Sequence, residues 1–151
     1  MTSDIQIRRA EAPDCSRILE LVQKLADYEK ASSEVTVSPE HFLESGFGAD
    51  PVWWGFVAKY QGKIVAFALY YIRFSTWKGQ AMYLEDILVT EEMRGKGVGK
   101  LLFEALIAEA RDKGLNRICW QVLHWNEPAI NFYKKYNASF DGEWVNCAIN
   151  I

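Results

Sequence analysis

A short glycine-rich loop constrains the fold of this chain more than any other feature. Positions 94–100 read Arg-Gly-Lys-Gly-Val-Gly-Lys; an apolar run at 83–89 precedes them, and an amphipathic helical pattern follows from about Val98. Glycines let backbone N–H groups approach a ligand, and a helix N-terminus adds unpaired N–H groups and a positive dipole end. The order strand, loop, helix therefore predicts an anion site, most often for phosphate.

Two common nucleotide motifs do not fit this loop. A Walker A loop needs glycine where this chain has Arg94, and Ser or Thr where it has Leu101. A dinucleotide fingerprint needs a third glycine at position 100, which is lysine, and lies in an early βαβ unit. A glycine-rich surface loop without a ligand is the alternative interpretation of the string alone.

Length and charge narrow the class of protein. At 151 residues and 17.3 kDa, the chain is expected to form one domain, positions 1–151, and its 50% hydrophobic content suffices for a well-filled core. The net charge of −3 argues against a general nucleic-acid binder and suits a cationic partner.

Targeting and metal signals are missing from the sequence. The first nine positions have no apolar signal core, and the longest apolar run, 64–72, is less than half of the ~20 residues that span a bilayer. The three cysteines are far apart and the two histidines have no partners at ligand spacing, so we predict no disulfide and no metal. We expect a cytoplasmic protein with no membrane partner.

Hydrophobic periodicity and turn residues predict an α/β (α+β) chain with a mixed sheet covered on both faces. We predict strands near positions 5–7, 53–60, 63–74, 82–89, 117–123 and 143–149, and helices near 13–30, 39–46, 98–113 and 128–136. A tight turn is expected at Gln61-Gly62. Gly114 and Asn137 are expected to adopt the left-handed conformation that ends a helix.

Two segments resemble motifs of the GNAT N-acetyltransferase superfamily. Arg94, Gly97 and Gly99 match motif A, in which Arg or Gln, two residues, Gly, one residue, and Gly or Ala cradle the pyrophosphate of acetyl-coenzyme A. Positions 125–138 resemble motif B, with Asn137 in place of the usual glycine. The resemblance implies a mostly antiparallel central sheet of six to seven strands, flanked on both faces by about four helices, and acetyl-coenzyme A (acetyl-CoA) as co-substrate.

Five longer strings are similar to the diamine (spermidine/spermine) N-acetyltransferase family: Asp27-Tyr28-Glu29, Ser45-Gly46-Phe47-Gly48, Ser75-Thr76-Trp77-Lys78-Gly79, Tyr83-Leu84-Glu85-Asp86 and Trp125-Asn126-Glu127-Pro128. The string at 75–79 looks most like the thialysine-acetylating branch. The resemblance implies a homodimer whose second subunit and C-terminal region help to build the acceptor site. Because the chain ends at Ile151, earlier than these relatives, we expect that C-terminal tail to be missing.

The amine to be acetylated is protonated at neutral pH, since its pKa is about 10.4, so a carboxylate must accept its proton. The resemblance implies this role for Glu85, acting directly or through water. A solvent-facing strand residue is the alternative interpretation of Glu85. In a regular strand, Asp86 would point to the opposite face.

The family implies a cofactor site on three segments. The fourth strand would offer free main-chain groups to the pantetheine arm and the thioester oxygen, the loop would hold the pyrophosphate, and Asn126 would cap the fourth helix and bind the arm. Arg94, Lys96 and Lys100 could equally be solvated loop charges. The predicted cofactor-binding residues are Ile87, Leu88, Val89, Arg94, Gly95, Lys96, Gly97, Val98, Gly99, Lys100, Asn126, Pro128 and Ala129.

Tyr133 matches the family's general acid, which would protonate the departing thiolate; an ordinary core aromatic beside Phe132 and Tyr136 is the alternative. The predicted acceptor-lining residues are Tyr28, Glu29, Glu85, Cys119, Trp120 and Gln121. The expected function is acetyl transfer from acetyl-CoA to a small cationic amine through a ternary complex. Acetylation of a peptide or protein lysine, and a non-catalytic acyl-CoA-binding module, are the alternatives.

Overall fold

A computed structural model describes residues 4–151, which form two compact units. The first unit ends at Gln121 and the second is Val122–Ile151. The prediction that the chain lacks a secretory signal falls partly on positions 1–3, which lie outside the described residues. No helix between residues 4 and 151 is both long and apolar enough to cross a membrane.

A mostly antiparallel sheet dominates the first unit. Its strands β1 (Ile5–Arg9), β2 (Trp54–Tyr60), β3 (Lys63–Ser75), β4 (Gly79–Val89) and β5 (Ile118–Cys119) lie side by side in chain order. The first three pairings are antiparallel and the β4–β5 pairing is parallel. The predicted turn is present, because Gln61 and Gly62 both have positive φ, 50° and 77°.

The predicted number of strands was wrong, since the described chain forms five strands rather than six to seven. The strand predicted at 117–123 is reduced to Ile118–Cys119, and positions 143–149 have no regular secondary structure. A β-strand is stable only when its backbone N–H and C=O groups hydrogen-bond to a neighbouring strand. The pairing of β4 with β5 covers only Met82 and Tyr83, and no pairing involves 143–149 within the described residues.

Four α-helices agree with the prediction: α1 (Cys15–Tyr28), α2 (Pro39–Phe47), α3 (Val98–Asp112) and α4 (Glu127–Lys134). Ser38 caps α2 through its hydroxyl oxygen, which accepts from the backbone N–H of His41 at 3.1 Å. Gly114 and Asn137 have φ of 73° and 58°, as expected for residues that end a helix.

Alternation along β3 separates two layers of core. Phe67 and Leu69 point towards α1 and α2, where they join a buried cluster with Ile18, Leu21 and Phe42. Ala66, Ala68 and Tyr70 point to the opposite side, where α3 contacts the sheet. The central strands are therefore fixed from both faces, and functional groups on β4 rest on a rigid support.

Candidate active site

The glycine loop leaves the N-terminus of α3 without a side-chain cap. Gly97 is the N-cap residue in the left-handed conformation, with φ 83°, and Gly95 has φ 75°. The first helical bond runs from the N–H of Leu101 to the carbonyl of Gly97 at 3.1 Å, so the N–H groups of the first helical turn have no acceptor within the helix. The loop therefore presents bare amides and a positive dipole end, as an anion site requires.

The basic side chains of the loop have different surroundings. Arg94 donates from Nε to the carbonyl of Val89 at 3.1 Å, and its guanidinium lies 5.3 Å from the centroid of the Tyr28 ring. Lys100 lies 3.8 Å from the carboxylate of Glu104, and Lys96 is exposed. The structure thus brings two predicted residues, Arg94 and Tyr28, together at the end of β4.

Strands β4 and β5 pair over only two positions of each strand. The pairing ends at Tyr83 and Cys119, so Ile87, Leu88 and Val89 lie past it. On that side, no strand among residues 4–151 pairs with β4 after Tyr83. On this edge the segment therefore has no strand partner, and it is where we predicted the pantetheine arm.

A β-bulge places Glu85. Leu84 lies opposite Tyr70 and Asp86 lies opposite Leu69, so Glu85 is the extra residue of β4 between them. The prediction that Asp86 points to the face opposite Glu85 assumed a regular strand. The bulge makes the strand irregular at this point, so that assumption does not hold. Asp86 shares the face of Leu69 and Leu88, beside α1 and α2, whereas Glu85 is exposed.

The charges of two carboxylates, Glu85 and Glu29, act on a third, Asp86, around this bulge. Burial, and then the charges of Glu85 and Glu29, raise the pKa of Asp86 to about 7. Burial also raises the pKa of Glu29, at the end of α1. Sequence reasoning missed Asp86; the signal was a second acidic residue next to Glu85 in an otherwise apolar strand. A carboxyl group poised near neutrality beside two others suits a cationic ligand.

Two tyrosines continue the same face of the sheet. Tyr71 lies opposite Tyr83, with ring centroids 5.1 Å apart, and Cys119 lies beside Tyr83 on β5. Burial raises the pKa of both tyrosines, and the carboxylate of Glu85 adds to that rise. We call this surface the acceptor face; it comprises Tyr71, Tyr83, Glu85, Asp86 and Glu29.

Not all of the predicted acceptor residues join the acceptor face. Trp120 packs edge-on against Phe103 of α3, with centroids 5.5 Å apart, and α3 lies on the other side of the sheet. Gln121 is exposed and ends the first unit. These residues were predicted together because they are adjacent to Cys119 in the sequence. Both lie after the end of β5 at Cys119, and adjacency did not bring Trp120 to the acceptor face.

The second unit holds the remaining predicted residues. Asn126 is buried and caps α4, its side-chain oxygen accepting from the N–H of Ala129 at 3.4 Å. Pro128 is in the first turn, where proline is favoured. Tyr133 is buried and its ring meets Phe132 edge-on. The capping role of Asn126 is confirmed; the role of Tyr133 as an acid stays a prediction.

No group of three or more histidine, cysteine or acidic side chains in residues 4–151 is arranged to hold a metal ion. The carboxylates of Glu29, Glu85 and Asp86 are close enough to affect one another's charge but do not converge as metal ligands.

Comparisons with known proteins agree on one family. The sequence model of the acetyltransferase (GNAT) family matches residues 10–138. Thialysine N-epsilon-acetyltransferase from Bos taurus is 40% identical over 142 residues, covering 89% of this chain and 84% of that protein. Spermidine/spermine N(1)-acetyltransferase-like protein 1 from Homo sapiens is 35% identical over 140 residues, covering 88% of this chain but 20% of that protein.

A solved structure has a similar fold. The crystal structure of a predicted acetyltransferase with acetyl-CoA from Clostridium acetobutylicum superposes with a TM-score of 0.77 and 18% identity, covering 95% of this chain and 96% of that one. At this identity the likeness concerns the fold alone.

Proposed function

Because this chain belongs to the GNAT acetyltransferase family, we propose that it moves the acetyl group of acetyl-CoA to a primary amine of a small cationic substrate. The observation that carries this proposal is the bulge at Glu85, which puts carboxylates on β4 shortly before the uncapped N-terminus of α3. One strand thus connects an amine site with an anion site.

The donor half of the proposal rests on backbone groups. The bare amides of Val98, Gly99 and Lys100 would bind the pyrophosphate, because a helix N-terminus favours negative charge. The unpaired edge of β4 at 87–89 would bind the pantetheine arm, and one of its N–H groups would stabilise the charge that develops on the thioester oxygen.

The acceptor half rests on the carboxylates. In a ternary complex, the amine would lose its proton to Glu85, directly or through water, and its lone pair would attack the thioester carbonyl carbon. The carbon–sulfur bond would break as the nitrogen loses its second proton to water, and Tyr133 would give the departing thiolate a proton that it regains from solvent. Asp86, missed from the sequence, would be partly ionised near neutral pH, and its negative form would help to attract the ammonium group.

The size of the substrate is proposed from the similar proteins. The names of these proteins specify thialysine and, by likeness, spermidine and spermine, which are small amines. Acetylation of a peptide lysine is the second candidate within the same chemistry. We further propose a cytoplasmic homodimer in which residues 1–151 act as one acetyltransferase domain.

An amine panel with acetyl-CoA tests the proposal. Thiol release is measured with putrescine, spermidine, lysine, thialysine and a lysine-containing peptide; we expect turnover of at least one small amine and little of the peptide. Tyr133→Phe keeps the ring and removes the proton, so kcat should fall about a hundredfold while acetyl-CoA affinity is retained. Turnover of the peptide alone would favour the second candidate, and acetyl-CoA binding without any turnover would favour a non-catalytic module.

A further inference from the structure

A basic cavity lies at the N-terminal end of α1, away from the acceptor face. Its volume is about 510 Å³, within the range of about 300–1,000 Å³ that sites for small molecules have. It forms where β1, the start of α1 and the β2–β3 hairpin meet, so its residues are far apart in the sequence. The lining residues are Arg8, Asp14, Arg17, Lys59, Gly62, Lys63 and Ile64.

The strand register brings two cations of the cavity together. Arg8 of β1 lies opposite Val57, and Lys59 follows Val57 by two positions on β2, so the two cations are diagonal neighbours on one face. Val57 belongs to the buried cluster under α1 and α2, which identifies that face. Four of the seven lining residues are cationic and one is acidic, in a chain whose net charge is −3.

Hydrogen bonds hold the two arginines of the cavity in place. Asp14 accepts bonds from both terminal nitrogens of Arg8, at 2.7 and 3.0 Å. Arg17 donates from Nε to the carbonyl of Ile64 at 3.2 Å and from a terminal nitrogen to Glu20 at 2.9 Å. Among the residues that the structure describes, these bonds engage two of the five N–H donors of Arg17, which leaves three for a ligand.

The two lysines of the cavity supply charge that the fold does not neutralise. No carboxylate between residues 4 and 151 lies within ion-pair distance of Lys59 or Lys63. The neighbouring carboxylates pair with the arginines instead, including Glu11, which lies 3.2 Å from Arg8. Lys59 is half-buried, and its charge adds to the larger effect of the hydrogen bond from Arg8 in lowering the pKa of Asp14. A cation that is partly shielded from water attracts an anion more strongly than one in bulk water.

We propose that this cavity binds a small anion that carries two or more phosphate groups. Oriented guanidinium groups donate hydrogen bonds to phosphate oxygens, and lysine ammonium groups add point charges. A cavity of this volume holds more than one phosphate group, and its concave shape suits a compact anion rather than an extended RNA strand or a flat membrane surface. Binding of such an anion is a further activity and does not depend on acetyl transfer.

The cavity is separate from the proposed acetyl-CoA site. The pantetheine edge would be the side of β4 that faces away from β3, whereas β1 and β2 lie on the other side of β3. Arg17, in the first turn of α1, and Glu29, just past its end, are separated by about 18 Å along the helix axis. Acetyl-CoA and the phosphate compound would therefore be able to occupy the protein together.

Calorimetric titration tests the proposal with pyrophosphate, inorganic phosphate and fructose 1,6-bisphosphate, each with and without saturating CoA. We expect one pyrophosphate or bisphosphate to bind per chain, at least about tenfold more tightly than inorganic phosphate, because Coulomb attraction grows with the charge of the ligand. CoA should leave the affinity unchanged, and added salt should lower it. Tighter binding of the sugar bisphosphate would indicate an organic phosphate as the natural class, and tighter binding of pyrophosphate an inorganic one.

Paired charge-removing variants make the outcome specific to the cavity. In Lys59→Met/Lys63→Met, the affinity for pyrophosphate should fall at least about tenfold. Lys78→Met/Lys113→Met removes the same charge from exposed positions outside the cavity and should leave the affinity within about twofold. Thermal unfolding of each variant controls for loss of folding, and pyrophosphate should raise the Tm of the control variant but not that of Lys59→Met/Lys63→Met.

Three results would overturn the phosphate site: an affinity that CoA abolishes, an equal loss in both double variants, or no binding of pyrophosphate or the bisphosphate. Binding of RNA or of anionic lipid vesicles that depends on Lys59 and Lys63, without binding of the small anions, would also overturn it and assign the surface to a macromolecule. Each of these results would leave the acetyltransferase proposal standing, because its amine panel contains none of these anions.

Discussion

Two clusters of charged groups lie on opposite faces of β3 and β4, and they differ in how their charges are compensated. On the α3 face, Glu109 accepts a pair of hydrogen bonds from Arg9 and one from the Tyr70 hydroxyl at 2.7 Å. On the other face, the charges of Glu85 and Glu29 act on Asp86, and no cation of the described residues is among the causes of its pKa shift. The first cluster has its opposite charge within the fold, whereas among residues 4–151 Asp86 has no ion-pair partner.

The pKa shifts of the two clusters have opposite signs. Burial would raise the pKa of Glu109, but the hydrogen bonds from Arg9 and Tyr70 outweigh it and hold that pKa below its usual value. Burial and like charges raise the pKa of Asp86 to about 7. Buried charge that has its partners stabilises the fold, while uncompensated charge costs stability and is retained where a ligand supplies the missing cation.

Of the variants that distinguish the two clusters, Glu109→Ala is expected to change the free energy of unfolding most. It would leave the buried hydroxyl of Tyr70 without its acceptor and remove both bonds to Arg9, so the free energy of unfolding should fall by about 4 kcal/mol. Urea unfolding at pH 7 measures it. Because the folded pKa of Glu109 is lowered, its contribution is present above the unfolded pKa and is lost as pH falls through the folded pKa.

Glu104→Ala is the matched control on the same helix. Glu104 is exposed and meets only Lys100, at 3.8 Å, so its loss should cost less than about 1 kcal/mol. Equal effects of the two variants would show that the network around Glu109 contributes no more than a surface charge.

Features of the structure that depend on adjacent residues could be predicted from the sequence. The strand, the glycine loop and α3 follow one another within positions 79–112, and each requires only its own composition. Gln61, Gly62, Gly114 and Asn137 adopt positive φ because local turns and helix ends demand it. The uncapped N-terminus of α3, where we propose an anion site, could be predicted for the same reason.

Features that depend on distant pairing could not be predicted. Arg9 and Glu109 are 100 positions apart, and nothing in either local pattern indicates that they meet. The bulge at Glu85 is defined by the register of β4 against β3. The alternation of side chains along β4 alone therefore could not predict where Asp86 lies or that it lies near Glu29. The prediction of a strand at 143–149 was wrong. Alternation of apolar and polar residues shows that a segment can form a strand, but it does not show that another strand is available to pair with it.

A second, smaller effect of opposite sign is expected for Asp86→Asn. The folded pKa of about 7 exceeds the unfolded value of about 3.9, so Asp86 contributes stability below about pH 4 that is lost as pH rises to 7. The shift sets a ceiling of about 4 kcal/mol. Because Asp86 is only partly shielded from water, we expect Asp86→Asn to be about 2 kcal/mol more stable than the unmodified protein at pH 8.

Unfolding of both proteins across pH 4 to 8 measures this effect. The two curves should converge near pH 4, where the carboxyl group is neutral, and diverge as pH rises. Lower stability of Asp86→Asn at pH 8 would mean that Asp86 has a stabilising partner, and the contrast between the two clusters would break.

The smallest effect is expected for Tyr70→Phe. This variant tests how much the Tyr70 hydroxyl contributes to the cluster around Glu109. Tyr70 is fully buried, and phenylalanine keeps its ring packing while removing one donor to Glu109. Because Arg9 still donates to the carboxylate, the free energy of unfolding should fall by about 1 kcal/mol. Tyr60→Phe, at the edge of the hairpin, should change it by less. A double-mutant cycle with Glu109→Ala should give a coupling close to the single loss; a zero coupling would place the Tyr70 hydroxyl outside the network.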